Sequence, residues 1–174
     1  FESVVLDQLD ALYGFALQLC RDGARAEDLV QETVLKALSA RRGFRHGSPA
    51  KPWLFRILWN TYLTEGRRWR REILEEAAPE TQAPGPDPED QAAERERARH
   101  LAEALERLPA PQRDVVQLVD IEELRYRDAA SVLKVPVGTA MSRLARARTR
   151  LAAGLTGPLG HGRIGVAAYM RGSR

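Results

Sequence analysis

The sequence predicts an all-α protein of two small helical domains joined by an acidic, proline-rich linker. Three observations carry that prediction. Apolar residues recur at helical spacing through most of the chain, with no strand-forming run and no βαβ rhythm. Between residues 72 and 96 nine acids stand against one base, Arg95, and four prolines fall between Pro79 and Pro88, which leaves neither helix nor strand room to form. Residues 128–151 read as two short helices about a tight turn. The predicted boundaries are 1–74 for the N-terminal domain, 75–90 for the linker, 91–155 for the C-terminal domain and 156–174 for a Gly-rich, basic tail.

In the N-terminal domain an amphipathic helix is predicted over 3–21, with Val5, Leu9, Leu12, Tyr13, Ala16, Leu17 and Cys20 on its apolar face. Arg21, Asp22 and Gly23 end it. A second helix is predicted from about 26 to 40, facing inward with Val30, Thr33, Val34 and Ala37, flanked by Leu29 and Leu38. Opposite lie Asp28, Gln31, Glu32 and Leu35. A leucine amid acids and an amide has no core to join, so this face reads as a surface for a partner, although one exposed leucine is ordinary.

Residues 43–52 form a loop by composition and carry Phe44, Arg45, His46 and Lys51. A third helix over about 50–71 turns Leu54, Ile57, Leu58 and Thr61 inward, with Trp53, Arg56, Asn60, Leu63, Thr64 and Arg67 around the other side. All three tryptophans of the chain and an arginine cluster through Arg67, Arg68, Arg70 and Arg71 fall here. Aromatic rings and arginines together suit single-stranded nucleic acid, through stacking and phosphate contact. The competing reading is that Trp53 and Trp59 are core and the arginines a solvated helix end; for Trp59 the core is favoured.

Past the linker, which twelve extended residues would stretch to about 40 Å, Ala92, Ala98, Leu101, Ala102, Leu105 and Leu108 support a helix to Arg107. Pro111 suits the first turn of the next, whose core candidates are Val115, Val116, Leu118, Val119 and Leu124. In 128–151, Ala129, Val132 and Leu133 are apolar, Pro136 breaks the pattern, and Ala140, Leu144, Ala147 and Leu151 return at i, i+4, i+7 and i+11. Thr139, Ser142, Arg143, Arg146 and Arg150 fall together beside that face. This is a helix-turn-helix layout, whose second helix fits the DNA major groove. A solvated arginine face is the alternative, but four arginines in eight residues with no acid among them do not suit i,i+4 pairing.

The net charge is +3 and the isoelectric point about 9.3, with basic residues clustered. Cys20 is the single cysteine, so no disulfide, zinc cluster or redox pair arises within the chain. The three histidines, His46, His100 and His161, lie in separate contexts, and no phosphate loop, HExxH or nucleophile–base pair is present. Binding rather than catalysis is expected, with no catalytic residue, no metal and no cofactor. No apolar run approaches the 18 or so residues that cross a bilayer, and no leader is legible, so a cytoplasmic setting without membrane insertion is expected.

Three stretches now add up to a resemblance. AEDLVQETVLKAL at 26–38 resembles region 2.2 of bacterial RNA polymerase sigma factors of the extracytoplasmic-function (ECF) type, also called group IV. GFRHGSPAKPWLFRILWNTYLTEGRRWRR at 43–71 resembles regions 2.3 and 2.4. The run from 105 to 151 resembles region 4, above all its PxGTxxSRLxRAR part. The resemblance spans about 9–155, with the three pieces in order across the acidic linker.

It implies that domain 1–74 is sigma region 2 and domain 91–155 sigma region 4. Region 2.2 docks on the clamp helices of the largest polymerase subunit, which implies Asp28, Gln31, Glu32 and Leu35 as core-polymerase-binding residues. Regions 2.3 and 2.4 melt the −10 element, which implies Phe44, Arg45, Lys51, Trp53, Arg56, Asn60, Thr64, Arg67 and Arg68 as its contacts, the 44–51 loop serving as a pocket for a flipped base. Region 4 reads the −35 duplex, which implies Thr139, Ser142, Arg143 and Arg146, with Arg148 and Arg150 as phosphate clamps. Core RNA polymerase, promoter DNA and an anti-sigma factor are the implied partners, and transcription initiation is the implied function. The alternative, a freestanding helix-turn-helix regulator independent of polymerase, gives Asp28, Gln31 and Glu32 no reason to surround Leu35.

Overall fold

The computed structural model describes residues 1–44, 47–73 and 92–154. The chain divides into two compact units, Phe1–Pro84 and Gly85–Arg174. The expected linker and tail lie outside the described residues, as does Arg45. All regular structure among the described residues is helical.

Unit 1 holds α1 (Glu2–Leu6), α2 (Leu9–Cys20), α3 (Gly23–Ser39), a 3-10 turn at Arg41–Gly43, and α4 (Ala50–Ile73). The predicted first helix is two. At Gln8 the amide bonds back only three residues, to Val5 O at 3.0 Å, and the chain turns there. The turn lets α1 pack on α4 while α2 packs on both α3 and α4. The inward face of α2 keeps Leu12 and Ala16, as expected, and adds Phe15. Leu12, Phe15 and Ala16 are buried, whereas Leu17, expected inward, is 38% exposed. Phe15 stacks on Phe55 (5.5 Å between ring centres) and on Trp59 (6.3 Å), a contact worth about 1 kcal/mol beyond area burial.

Arg21 closes α2 in the left-handed region (φ 54°), and Asp22 opens α3 by accepting the Arg25 amide at 2.8 Å. That cap starts α3 at Gly23, three residues earlier than predicted, since it satisfies a donor the first turn leaves without a helical partner. Ala26, Leu29, Thr33 and Ala37 form its buried face, against Leu54, Phe55, Leu58 and Thr61 of α4. Thr33 is tolerated there because its hydroxyl donates to Leu29 O at 2.7 Å.

Unit 2 holds α5 (Ala92–Glu106), α6 (Ala110–Val116), a π-helical turn at Gln117–Ile121, α7 (Tyr126–Leu133) and α8 (Val137–Gly154). α5, α6 and α7 all pack on α8. Proline sits in the first turn of α6. Lys134 ends α7 in the left-handed region (φ 56°), and Ala140, Leu144, Ala147 and Leu151 turn inward on α8 as their spacing requires. Core partners are Leu101, Leu108, Val115, Val116, Leu118, Ala129, Val132 and Leu133; Ala102, expected inside, is exposed. Asp128 in the first turn of α7 favours the helix dipole and pairs with Arg125 at 2.8 Å.

Candidate polymerase and promoter surfaces

The first surface is the outward face of α3. Asp28, Gln31 and Leu35 are exposed and Glu32 half-buried, all within one stripe opposite Ala26, Leu29, Thr33 and Ala37. Leu35 is 60% exposed. Glu32 pairs with Lys36 at 3.1 Å, and the Lys36 ammonium also donates to Thr61 Oγ1 at 3.4 Å. An exposed i,i+4 pair contributes only about 0.3–0.5 kcal/mol, so Glu32 stays available to an incoming cation. The arrangement is an apolar contact ringed by negative charge.

The second surface was expected along the loop and α4. The structure brings together only part of that set. Trp53, Asn60 and Thr64 share one stripe of α4 with Ile57, and Arg56 and Leu63 are exposed beside it. Asn60 was expected to face outward. It instead lines a cleft of about 350 Å³ between α3 and α4 with Lys36, Ala40, Ile57, Thr61 and Thr64. Its Oδ1 is buried and has no hydrogen-bond partner among the described residues. Thr64 is turned to its own helix, its hydroxyl donating to Asn60 O at 2.9 Å.

Phe44 and Trp53 pack on each other (5.1 Å between ring centres) and on Phe1 (5.6 and 5.9 Å). They form an aromatic cluster at one end of unit 1. Lys51 sits on the opposite side of α4 from this stripe, its ammonium 5.8 Å from the Phe55 ring centre. Arg67 and Arg68 lie within the span of α4, with side chains outside the described set. Trp59 is half-buried against Phe15, as favoured from sequence.

The third surface is α8. Ser142, Arg146 and Arg150 are exposed, and Thr139 and Arg143 half-buried. The Ser142 hydroxyl donates to Thr139 O at 3.1 Å. Arg148 is paired within its own unit. Its Nε donates to Asp120 Oδ2 at 3.1 Å, and its Nη2 to Asp120 Oδ1. Asp120 is 9% exposed. Hydrogen bonding to Asp120 lifts the Arg148 pKa above its ordinary value against the opposing effect of burial, and Tyr126 adds a further bond. The guanidinium expected to hold a phosphate is thus engaged by Asp120 within its own unit, with 29% of the side chain exposed. The π-helical turn that carries Asp120 also buries Gln117 and Glu122, joined at 3.2 Å. Sequence reading assigned none of these polar residues to the interior.

No group of three or more His, Cys, Asp or Glu among the described residues is placed to hold a metal ion. No helix among them is long and apolar enough to cross a membrane.

Comparison with known proteins covers both units. The Sigma-70 region 2 family matches residues 5–72, and the Sigma-70, region 4 family matches residues 98–151. The ECF RNA polymerase sigma factor EcfG of Rhodopseudomonas palustris is 38% identical over 149 residues, covering 86% of this chain and 81% of that protein. Among solved structures, the sigma factor RpoE from Bartonella quintana, crystallised with the anti-sigma factor NepR, superposes with a TM-score of 0.75 at 33% identity. That match covers 91% of this chain and 98% of that one. CnrH, solved with the cytosolic domain of CnrY, gives a TM-score of 0.60 at 28% identity over 88% of this chain and 85% of that one. The chain belongs to the ECF RNA polymerase sigma factors, regulatory subunits rather than classical enzymes, and its function is to direct RNA polymerase in transcription initiation.

Proposed function

We propose that the two units divide the promoter between them, residues 1–74 holding core polymerase and the −10 element and residues 91–155 reading the −35 element. Asp28, Gln31, Glu32 and Leu35 bind the clamp helices of the largest polymerase subunit. The observation that carries this is the exposure of Leu35 inside a ring of acid and amide groups. An interface core wants a desolvated apolar anchor, and a charged rim sets partner choice.

For −10 DNA, Arg56, Asn60 and Thr64 on one side of α4, extended by Arg67 and Arg68, form the working strip. The aromatic pair Phe44 and Trp53 flanks it, with Arg45 in the adjoining loop. Lys51, on the far side of α4, contributes general positive charge. For −35 DNA, Thr139, Ser142, Arg143 and Arg146 face bases and Arg150 a phosphate. An anti-sigma protein that masks these faces is the expected regulator, since RpoE was solved with the anti-sigma factor NepR and CnrH with the cytosolic domain of CnrY. The site of action is the cytoplasm, where promoter DNA and polymerase meet, and no bond-making step is assigned to the chain.

The test is capture of core polymerase by the purified full chain. Reversing Asp28 and Glu32 together to Lys is expected to abolish capture while leaving helicity largely unchanged, since neither side chain belongs to the buried face of α3 and the Glu32–Lys36 pair contributes only about 0.3–0.5 kcal/mol. Capture at the wild-type level by that double variant removes the assignment. A freestanding regulator would bind its operator without polymerase at all.

A further inference from the structure

α8 presents two chemically different edges. Arg143, Arg146 and Arg150 lie along one. Val137 (40% exposed) and Met141 (48% exposed), four residues apart, lie along the other. They are the two large apolar side chains exposed among the described residues of unit 2. Between the edges, Gly138, Ser142 and Ala145 keep the helix front small, and a Cβ built on Gly138 meets nothing within 4 Å. The helix carries no acid anywhere along its length.

A single exposed methionine needs no explanation. Two apolar side chains together on the first turns of an arginine-bearing helix do, because the N-terminal part of the second helix is what enters the groove in a helix-turn-helix. The major groove exposes one apolar group on base edges, the C5-methyl of thymine. We propose that Met141, with Val137 beside it, is a specificity-determining residue that reads thymine by enclosing its C5-methyl, on the edge of α8 away from Arg143, Arg146 and Arg150. This rests on the reading above that α8 enters the −35 major groove. Methionine suits the task because its unbranched thioether adapts to a shallow contact that an arginine would meet with an unpaired charge.

The test uses holoenzyme assembled from the full chain and core polymerase. A −35 sequence is first selected from randomised promoter fragments, and each thymine in it is then replaced by uracil, which deletes the methyl alone. Wild-type holoenzyme is expected to lose about four-fold in affinity at one or two adjacent thymines, the effect of exposing one buried methyl. Met141→Ala should bring the thymine-to-uracil ratio there to one, and Met141→Leu should keep it. Arg146→Ala should lower affinity with the ratio intact. The ratio should also hold between ~50 and ~200 mM salt while absolute affinity falls steeply.

The proposal is overturned if no thymine can be told from uracil, if the selected element holds no thymine, or if Met141→Ala keeps the four-fold ratio. Selection of no −35 preference at all would instead remove the reading of α8 on which the proposal stands, and the proposal with it. Met141→Gln, of similar length and helix preference, separates loss of apolar contact from any change in the helix and is expected to behave as the alanine variant does.

Discussion

Removing the Arg148 guanidinium tests whether it is structural or phosphate-binding. In Arg148→Ala the Asp120 carboxylate, 9% exposed, loses both charge-assisted hydrogen bonds and stays where water reaches it poorly. Breaking a buried pair by deleting one partner costs about 3–5 kcal/mol. The guanidinium is 29% exposed, so one end of the pair is open, and about 3 kcal/mol is expected. Asp120→Ala should cost less, about 1–2 kcal/mol, because a long arginine side chain left alone can turn to solvent.

The protein supplies its own assay. Its three tryptophans, 53, 59 and 69, all belong to unit 1. Urea unfolding followed by tryptophan fluorescence therefore reports unit 1, and the part of the far-ultraviolet dichroism that does not track fluorescence reports unit 2. With a denaturant slope of about 1 kcal/mol/M for so small a unit, Arg148→Ala should lower the unit 2 midpoint by about 3 M and leave the fluorescence transition in place. A loss under about 1 kcal/mol refutes the reasoning. So does Asp120→Ala costing as much as Arg148→Ala. A phosphate clamp would leave the urea midpoint alone and reduce the salt slope of DNA binding by about one.

The other predictions concern the arginines left on the surface and the lone thiol. Arg146→Ala should cost about 1–3 kcal/mol at the preferred −35 sequence and relax selectivity there, while Arg150→Ala should weaken all sequences equally and flatten the salt slope by about one, both read by holoenzyme binding across a salt series. A uniform loss for Arg146 would make it a phosphate contact. Burial pushes the Cys20 thiol from its ordinary 9.0 up to about 11, so alkylation at pH 8 should be slow in the folded chain and fast in urea. Because the folded value is raised, the folded state holds the proton longer. Stability from this group is full below about pH 9 and is lost as pH rises towards 11. Cys20→Ala should remove that alkaline loss, and equal alkylation rates in folded and unfolded chain would contradict the burial.

Helix content, the two-lobe layout and the inward face of α8 were legible because 3.6-residue periodicity is a local signal. So was the exposure of Leu35, since its flanking acids bar it from any core. The inward face of α2 was legible only in part, at Leu12 and Ala16. Leu9, Tyr13 and Leu17 satisfy helical spacing as Leu12 and Ala16 do, and the packing of α2 on α3 and α4 favours the edge that carries Phe15. Phe55 was overlooked for a similar reason, its apolar neighbours on α4 filling the pattern without it. The Asp120–Arg148 pair was out of reach. Its partners are 28 residues apart and meet through a π-helical turn that spacing rules do not anticipate. Lys51 and Asn60 show the limit at a surface. The resemblance grouped them as contacts of one DNA element, and the helix then put them on different sides.

The pairing of Arg148 with Asp120 bears on how affinity and selectivity would be divided on α8. With Arg148 held by Asp120, the proposed DNA contacts are Arg143, Arg146 and Arg150, which all lie on one flank. Their contribution depends on counterion release, so it rises and falls with salt and carries little sequence information where it meets phosphate. Sequence must be read by short-range contacts that phosphate charge does not swamp. The small front of Gly138, Ser142 and Ala145 lets the helix backbone come close to base edges, and the Val137–Met141 edge adds a contact without charge. Anchoring Arg148 internally serves both, because the bidentate pair fixes α8 against the turn that carries Asp120. A helix held that way offers its groove-facing side chains in one register, which short-range readout requires and electrostatic attraction does not.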